Sequence, residues 1–295
     1  MTETPGATVA GGLSSVPVPG TGGLPKLVLV AAGGARAEIY LHGAHVTSWH
    51  PAGDGDERLF LSRRSRFGPG AAIRGGIPVS FPQFADQGPL PHHGFARDLE
   101  WRPVLAYRSP SGAAHAVLRL VDTGATRALW PHPFIAELAV TIHARALEVA
   151  LAIENTGPAA FEFTVALHTY LRVLDIGDVR VTGLQGARYR DKVRGADDCL
   201  ETAAALAVPG EIDRVYHAAP DALAVREPGR VTSVRATGFP DTVVWNPGPV
   251  RARDMDDMEP GGETRMVCVE AAASRAPLVL PSGAQWRGTQ TLTAH

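Results

Sequence analysis

Residues 161–172 read FEFTVALHTYLR, and they decide the fold class. Phe161, Phe163, Val165, Leu167, Thr169 and Leu171 fall on one face of an extended chain; Glu162, Thr164, Ala166, His168, Tyr170 and Arg172 fall on the other. Successive side chains of a strand point to opposite sides, so this alternation predicts a strand with one face in a core. The pattern runs on to residue 173. It recurs at 26–31, 36–41, 45–50, 114–122, 134–143 and 147–155, and again at 231–237, 242–246, 265–271 and 285–293. Gly, Pro, Asn and Asp punctuate these segments, as turn formers should. Helical stripes are scarce, and CLETAAAL at 199–206 is the best short candidate. Closely spaced strands without alternating helices predict an all-β sandwich or barrel rather than a βαβ fold.

Composition narrows the function classes. A net charge of −2 argues against nucleic-acid and membrane-surface partners, which select for a basic excess. Lys26 and Lys192 are the only lysines, so the positions of the arginines carry information and their number does not. Cys199 and Cys268 cannot make a disulfide framework, and no Cys-x-x-Cys motif occurs, which fits a reducing cytoplasm. Residues 1–25 are rich in Gly, Pro, Ser and Thr and lack the basic start and apolar core of a secretory signal. The expected layout is a flexible leader over 1–25 and one domain over 26–295.

Three segments concentrate chemistry. Residues 73–97, IRGGIPVSFPQFADQGPLPHHGFAR, gather Arg74, His92, His93 and Arg97 among glycines and prolines, on what must be largely loop. The guanidinium fork matches phosphate or carboxylate oxygens two at a time. One such arginine is ordinarily a solvated surface charge; the cluster points to a site. In 161–172, His168 sits at the centre of the polar face, where a sugar could lie, although a lone strand histidine is more often simply solvated. In RMVCVEAA at 265–272, Glu270 shares a face with Met266 and Cys268 in a nearly continuous apolar run. Burying that carboxylate is costly without a partner, so it is either a salt-bridged structural group or a base of raised pKa. Asp213, in EIDRVYH, could accept bonds from hydroxyl groups, though a loop aspartate is usually a turn former.

Several chemistries are excluded. No G-x-S-x-G elbow and no phosphate loop ending in Lys-Ser/Thr occur, and Gly33-Gly34 opens no helix. His42 and His45 would point to opposite faces of an extended segment, and few carboxylates and no cysteine surround His92 and His93. No metal ligand set is expected.

Taken in order, GAHVTSW at 43–49, LFLS at 59–62, IRGGIPVSFPQF at 73–84, HGFARDLEW at 93–101, LHTYLRV at 167–173, EIDRVY at 211–216, DTVVWNP at 241–247 and MVCVEAA at 266–272 resemble the aldose 1-epimerase superfamily. Within it they resemble the glucose-6-phosphate 1-epimerase (hexose-6-phosphate mutarotase) branch. The resemblance implies a large antiparallel β-sandwich that binds a sugar and interconverts its anomers without cofactor or metal. It implies His168 as general acid and Glu270 as general base. Arg74 and Arg97 would bind the substrate, Asp213 its hydroxyl groups, and His92 and His93 would lie at the same pocket. The expected partner is a small sugar phosphate, and the expected state a monomer. Two departures concern the rim: Gly248 follows WNP where many relatives carry tryptophan, and residues 248–263 read as polar and flexible. An aldose 1-epimerase for unphosphorylated sugars and a catalytically silent carbohydrate-binding protein on the same scaffold remain the alternatives.

Overall fold

The computed structural model describes residues 16–53, 55–218 and 222–295. Their strands form three sheets, and every pairing between named strands is antiparallel among the described residues. A four-stranded sheet runs in chain order through Val18–Pro19, Pro25–Val30, Arg36–Tyr40 and His45–His50. Part of the segment expected as leader is therefore paired, since Val18 opposes Lys26; residues 1–15 lie outside the described residues.

The other two sheets make the sandwich. The nine-stranded sheet is centred on Gln285–Ala294 and Ala146–Asn155. The eight-stranded sheet passes from Arg188–Asp191 through Ile212–His217, Asp241–Asn246 and Met266–Leu280 to Phe161–Leu167 and Val79–Ser80. Val165, Leu167, Val267 and Val269 from the eight-stranded sheet join Leu138, Val140, Leu151 and Leu292 from the nine-stranded one in a single buried core. Two polar side chains inside it are matched to each other and to the backbone: Thr169 Oγ1 donates to Gln290 Oε1, and Gln290 Nε2 donates to Val269 O at 3.0 Å.

The outer face of the eight-stranded sheet is buried too. Ala166, Tyr170, Trp245, Met266 and Cys268 pack there under Phe60, Phe84 and Met258, which arrive from loops. This corrects the expectation of an open polar face across 161–172. The strand also breaks: it is Phe161–Leu167, then Tyr170–Arg172, with His168 and Thr169 between. There the backbone turns to the incoming segment 76–80, so His168 N donates to Pro78 O and Tyr170 N to Gly76 O.

The helix expected at 199–206 is absent. Ala196–Leu200 and Ala205–Ala207 are strands in different sheets, the first pairing with Arg188–Asp191 and the second with Arg180–Thr182. Alanine's helix preference is worth fractions of a kcal/mol per residue, and edge pairing overrides it. Among the described residues the two short α-helices are Gly124–Leu129, opened by a Thr123–Thr126 capping box, and Gly248–Arg253. The latter opens the segment that read as flexible; Ala252 and Met258 anchor it in the outer cluster. No helix of the described residues is long and apolar enough to cross a membrane.

Candidate active site

Strand register builds the site. Leu167 opposes Ala271 and Tyr170 opposes Cys268, so the pairing keeps one register across the break. The residues facing each other at the gap are His168 and Glu270. Opposed residues of antiparallel strands have Cβ atoms about 4.5–5.5 Å apart, and here His168 Nδ1 comes to 3.3 Å from Glu270 Oε1. The next strand along pairs Val243 with Glu270 and Trp245 with Cys268, and beyond it Asp213 opposes Trp245. Asp213, Glu270 and His168 thus lie on one face of neighbouring strands and open into one cavity of about 190 Å³.

The loop 73–97 closes a second side. Gly94 permits a tight approach, with φ of 72° and a would-be Cβ only 2.2 Å from Phe81 O. Gly75 does the same against Phe60 O, at 2.3 Å. Any larger residue at either position would force the backbones apart. His93 takes the left-handed conformation, φ 66°, an arrangement that costs a side-chain-bearing residue on the order of 1–3 kcal/mol. Its Nδ1 accepts from Ala85 N at 3.1 Å and contacts Ser80 Oγ at 2.9 Å. The proton of the neutral ring is therefore on Nε2, and the ring lies 5.2 Å from that of His168. Burial, then the charges of His168 and Arg97, hold His93 well below the usual imidazole range.

Arg74, Arg97, His93, His92, His168, Asp213 and Glu270 all line the cavity, so every site residue expected from sequence converges there. They are not equivalent. His92 is half exposed at the rim, bonded to Asp86. The Arg74 fork is engaged, with Nε and Nη2 each 3.1 Å from Asp257 and Nη1 donating to Tyr170 Oη at 2.8 Å. Burial opposes that charge, but Tyr170 and Asp257 outweigh it and raise the Arg74 pKa. Arg97 spends one nitrogen on His92 O and buries Nε without a partner among the described residues; burial lowers its pKa. Arg97, unlike Arg74, has donors to spare.

Lys192, Arg251, Trp245 and Asp257 were not singled out from sequence. Lys192 Nζ sits 3.0 Å from Asp213 Oδ2, and Lys192, Arg251 and Trp245 line the cavity. One signal for Lys192 existed: it is one of two lysines in an arginine-rich chain. Arg251, Trp245 and Asp257 had none that stood out from their neighbours.

Electrostatically the pair is strained toward neutrality. Burial, then Asp213, raises Glu270 well above the usual carboxyl range, while Lys192 pulls the other way. Burial, then Arg74 and Arg97, lowers His168 well below the imidazole range. Neither His168 Nδ1 nor Glu270 Oε2 has a hydrogen-bond partner among the described residues. A buried acid and base held side by side with unmet bonding capacity can move protons on adjacent atoms of one bound molecule.

The family model for aldose 1-epimerase matches residues 25–293. A provisionally named glucose-6-phosphate 1-epimerase of Cenchrus ciliaris is 39% identical over 281 residues, covering 92% of this chain and 85% of that protein. Its provisionally named counterpart in Escherichia coli K12 is 38% identical over 252 residues, covering 83% and 82%. A crystal structure of a provisionally assigned mutarotase from Salmonella typhimurium superposes with a TM-score of 0.84 at 30% identity, covering 95% of this chain and 96% of that one.

Proposed function

This chain belongs to the aldose 1-epimerase family, and from that premise we infer that it is a hexose-6-phosphate mutarotase, an isomerase interconverting α and β anomers, with glucose 6-phosphate as substrate. The observation that carries the reading is the register-opposed pair His168 and Glu270, 3.3 Å apart in a cavity ringed by Arg74, Arg97, Lys192 and Arg251.

Mutarotation breaks the C1–O5 bond, turns the aldehyde about C1–C2 and recloses on its other face. Glu270 takes the proton from the C1 hydroxyl while His168 delivers one to O5. The aldehyde then recloses with the roles reversed. O1 and O5 are both bonded to C1, so acid and base must be neighbours, and adjacent cross-strand positions supply that spacing. Proton count is conserved: protonated Glu270 with neutral His168 carries as many protons as carboxylate with imidazolium. The reaction draws on the second arrangement, and the desolvated carboxylate is then a strong base. Positioned acid–base catalysis of this kind contributes about 10²–10⁴-fold. Nothing leaves the sugar and no electron moves, so the chemistry requires no cofactor or metal.

Arg97, with unused donors, holds the 6-phosphate together with Lys192 or Arg251, while Arg74 is fixed by Asp257 and shapes the wall. Asp213 accepts bonds from ring hydroxyls, and His93 offers its Nε2–H. His92 borders the entrance. That contact energy positions C1 between acid and base. The reading extends to a monomer at work in a reducing cytoplasm, which light scattering and fractionation test.

One observation favours the unphosphorylated alternative: the fork of Arg74 is already engaged by Asp257. An anomerisation panel by polarimetry or NMR exchange, with hexoses bearing or lacking the 6-phosphate, separates the readings. The phosphate reading expects much faster turnover of the phosphorylated sugars and a loss confined to them in Arg97→Ala. Equal turnover of both classes, with Arg97→Ala harming both alike, gives the site to free aldoses. No turnover on any sugar leaves a binding protein.

A further inference from the structure

Directly beside the acid and base sits a third group that mutarotation does not use. Cys268 lies two residues before Glu270 on the same face of one strand, fully buried, with Tyr170 opposite it. Its thiol, the His168 imidazole and the Glu270 carboxylate each offer one ligand atom, and these atoms all lie within 4.8 Å of one another. We propose that His168, Cys268 and Glu270 form a site for a borderline-soft divalent cation, zinc above all, whose occupancy blocks the catalytic pair.

Geometry, donor chemistry and charge each support this. Zn²⁺ holds nitrogen and oxygen ligands at about 2.0–2.2 Å in a tetrahedron, which sets a nitrogen-to-oxygen edge of roughly 3.3–3.5 Å. The Nδ1 to Oε1 separation is 3.3 Å. Three protein ligands of mixed N, S and O character with one open position form a catalytic-type zinc set, and thiolate with imidazole selects against Mg²⁺ and Ca²⁺. Two of the donor residues bury polar atoms with no partner among the described residues, His168 Nδ1 and Glu270 Oε2. Their side chains are 10% and 1% exposed. A bound cation would satisfy both residues.

The charges close. Thiolate and carboxylate together neutralise a divalent ion and the imidazole stays neutral, so no net charge is buried, the condition a low-dielectric site demands. The exchange balances as one M²⁺ taken up against the protons of a thiol and a carboxylic acid. Affinity therefore rises with pH. Arg74, Arg97, Lys192 and Arg251 face the cavity and oppose a cation's entry, while Asp213 favours it. Entry is accordingly slow, and bound sugar phosphate excludes the metal.

Binding at this site is independent of the mutarotase reading; only the accompanying loss of turnover rests on it. The test uses the whole chain freed of metal with a chelator, titrated with ZnCl₂ by calorimetry and with CoCl₂ by absorption. Cys268→Ser and Cys268→Ala serve as variants, because Cys268 takes no part in the acid–base chemistry. The wild type should bind one ion per chain and show a thiolate-to-cobalt charge-transfer band. Zinc should abolish anomerisation, with EDTA restoring it. Both variants should lose the band, keep wild-type turnover without metal, and become insensitive to zinc. Their zinc affinity should fall by more than the about 10–100-fold that removing a residue which merely orients a ligand costs. Absence of stoichiometric binding, binding undiminished in both variants, or full turnover with the site filled would each overturn the proposal. If the chain turns over no sugar at all, the cobalt band and its loss in the variants still decide the site.

Discussion

On the inner face of the Met266–Leu280 strand, Val267, Val269 and Ala271 pack into the sandwich core, where the polar atoms of Thr169 and Gln290 have found partners. On the outer face, Met266, Cys268 and Glu270 are equally withdrawn from water, yet Glu270 Oε2 and the neighbouring His168 Nδ1 bond to nothing among the described residues. The two faces differ in satisfaction rather than in burial. Unpaired buried polar atoms cost about 1–3 kcal/mol each, so a fold that keeps them beside a cavity carries an expense that packing alone does not explain. Function is to be sought on the unfinished face.

The sharpest way to break this contrast is to remove the outer pair. Glu270→Gln and His168→Ala should each lower kcat by about 10²–10⁴-fold, with circular dichroism unchanged. Turnover near wild type in either variant would strip that residue of its role. Next comes the inner face, where Leu151→Ala should cost about 2–5 kcal/mol of stability in chemical denaturation. The folded fraction should keep its kcat/KM; a matching collapse of activity would show that the two faces are not separable.

The pH profile sharpens the comparison further. Burial raises Glu270 and lowers His168. The carboxylate form is therefore lost, as pH falls, earlier than for an ordinary carboxylate. The imidazolium form is lost, as pH rises, earlier than for an ordinary imidazole. Both losses pass the pair to its neutral tautomer without changing its proton count. The one-proton state that the reaction draws on therefore spans a wide interval, and kcat/KM should show a broad plateau, whose limbs belong to the pair rather than to either residue. In Glu270→Gln the residual activity should show no acid limb; a wild-type bell confined between the ordinary carboxyl and imidazole ranges would contradict the shifts. The smallest effect expected is on stability. Folding holds the Glu270 carboxyl above its unfolded value, so the folded chain binds the extra proton and loses stability as pH rises through that interval. Glutamine escapes this loss. Glu270→Gln should melt higher than wild type under mildly alkaline conditions, by about 2–4 °C for each kcal/mol regained, and the gap should close below the ordinary carboxyl range. A gap that widens in acid would reverse the sign and refute burial as the cause.

The strands were legible because alternation is local: 45–50 and 114–122 were read to within a residue of the observed His45–His50 and Ala114–Val121. The 199–206 segment departs from its local signal for the complementary reason, that its alanines carry a helical preference which two sheet edges overrule. Among candidate site residues, the cluster holding Arg74 and Arg97, and Glu270 in its apolar run, stand out by their surroundings, whereas His168 and Asp213 take their roles chiefly from the family resemblance. Asp257 does not stand out, because an aspartate in a polar run signals nothing until Arg74 is placed against it.

By itself the sequence determined the alternating faces, the sheet class, and the presence of an imidazole and a carboxylate on the sides turned from the core. Those properties follow from each residue and its near neighbours, since a strand's side-chain direction is set by backbone geometry alone. Only the tertiary structure decided that His168 would face Glu270 across a break in the pairing. It also decided that loops bearing Phe60, Phe84 and Met258 would roof that face, and that Asp257 would engage Arg74. Register and roofing depend on contacts between segments far apart in the chain, and no local pattern encodes which distant residue will arrive opposite.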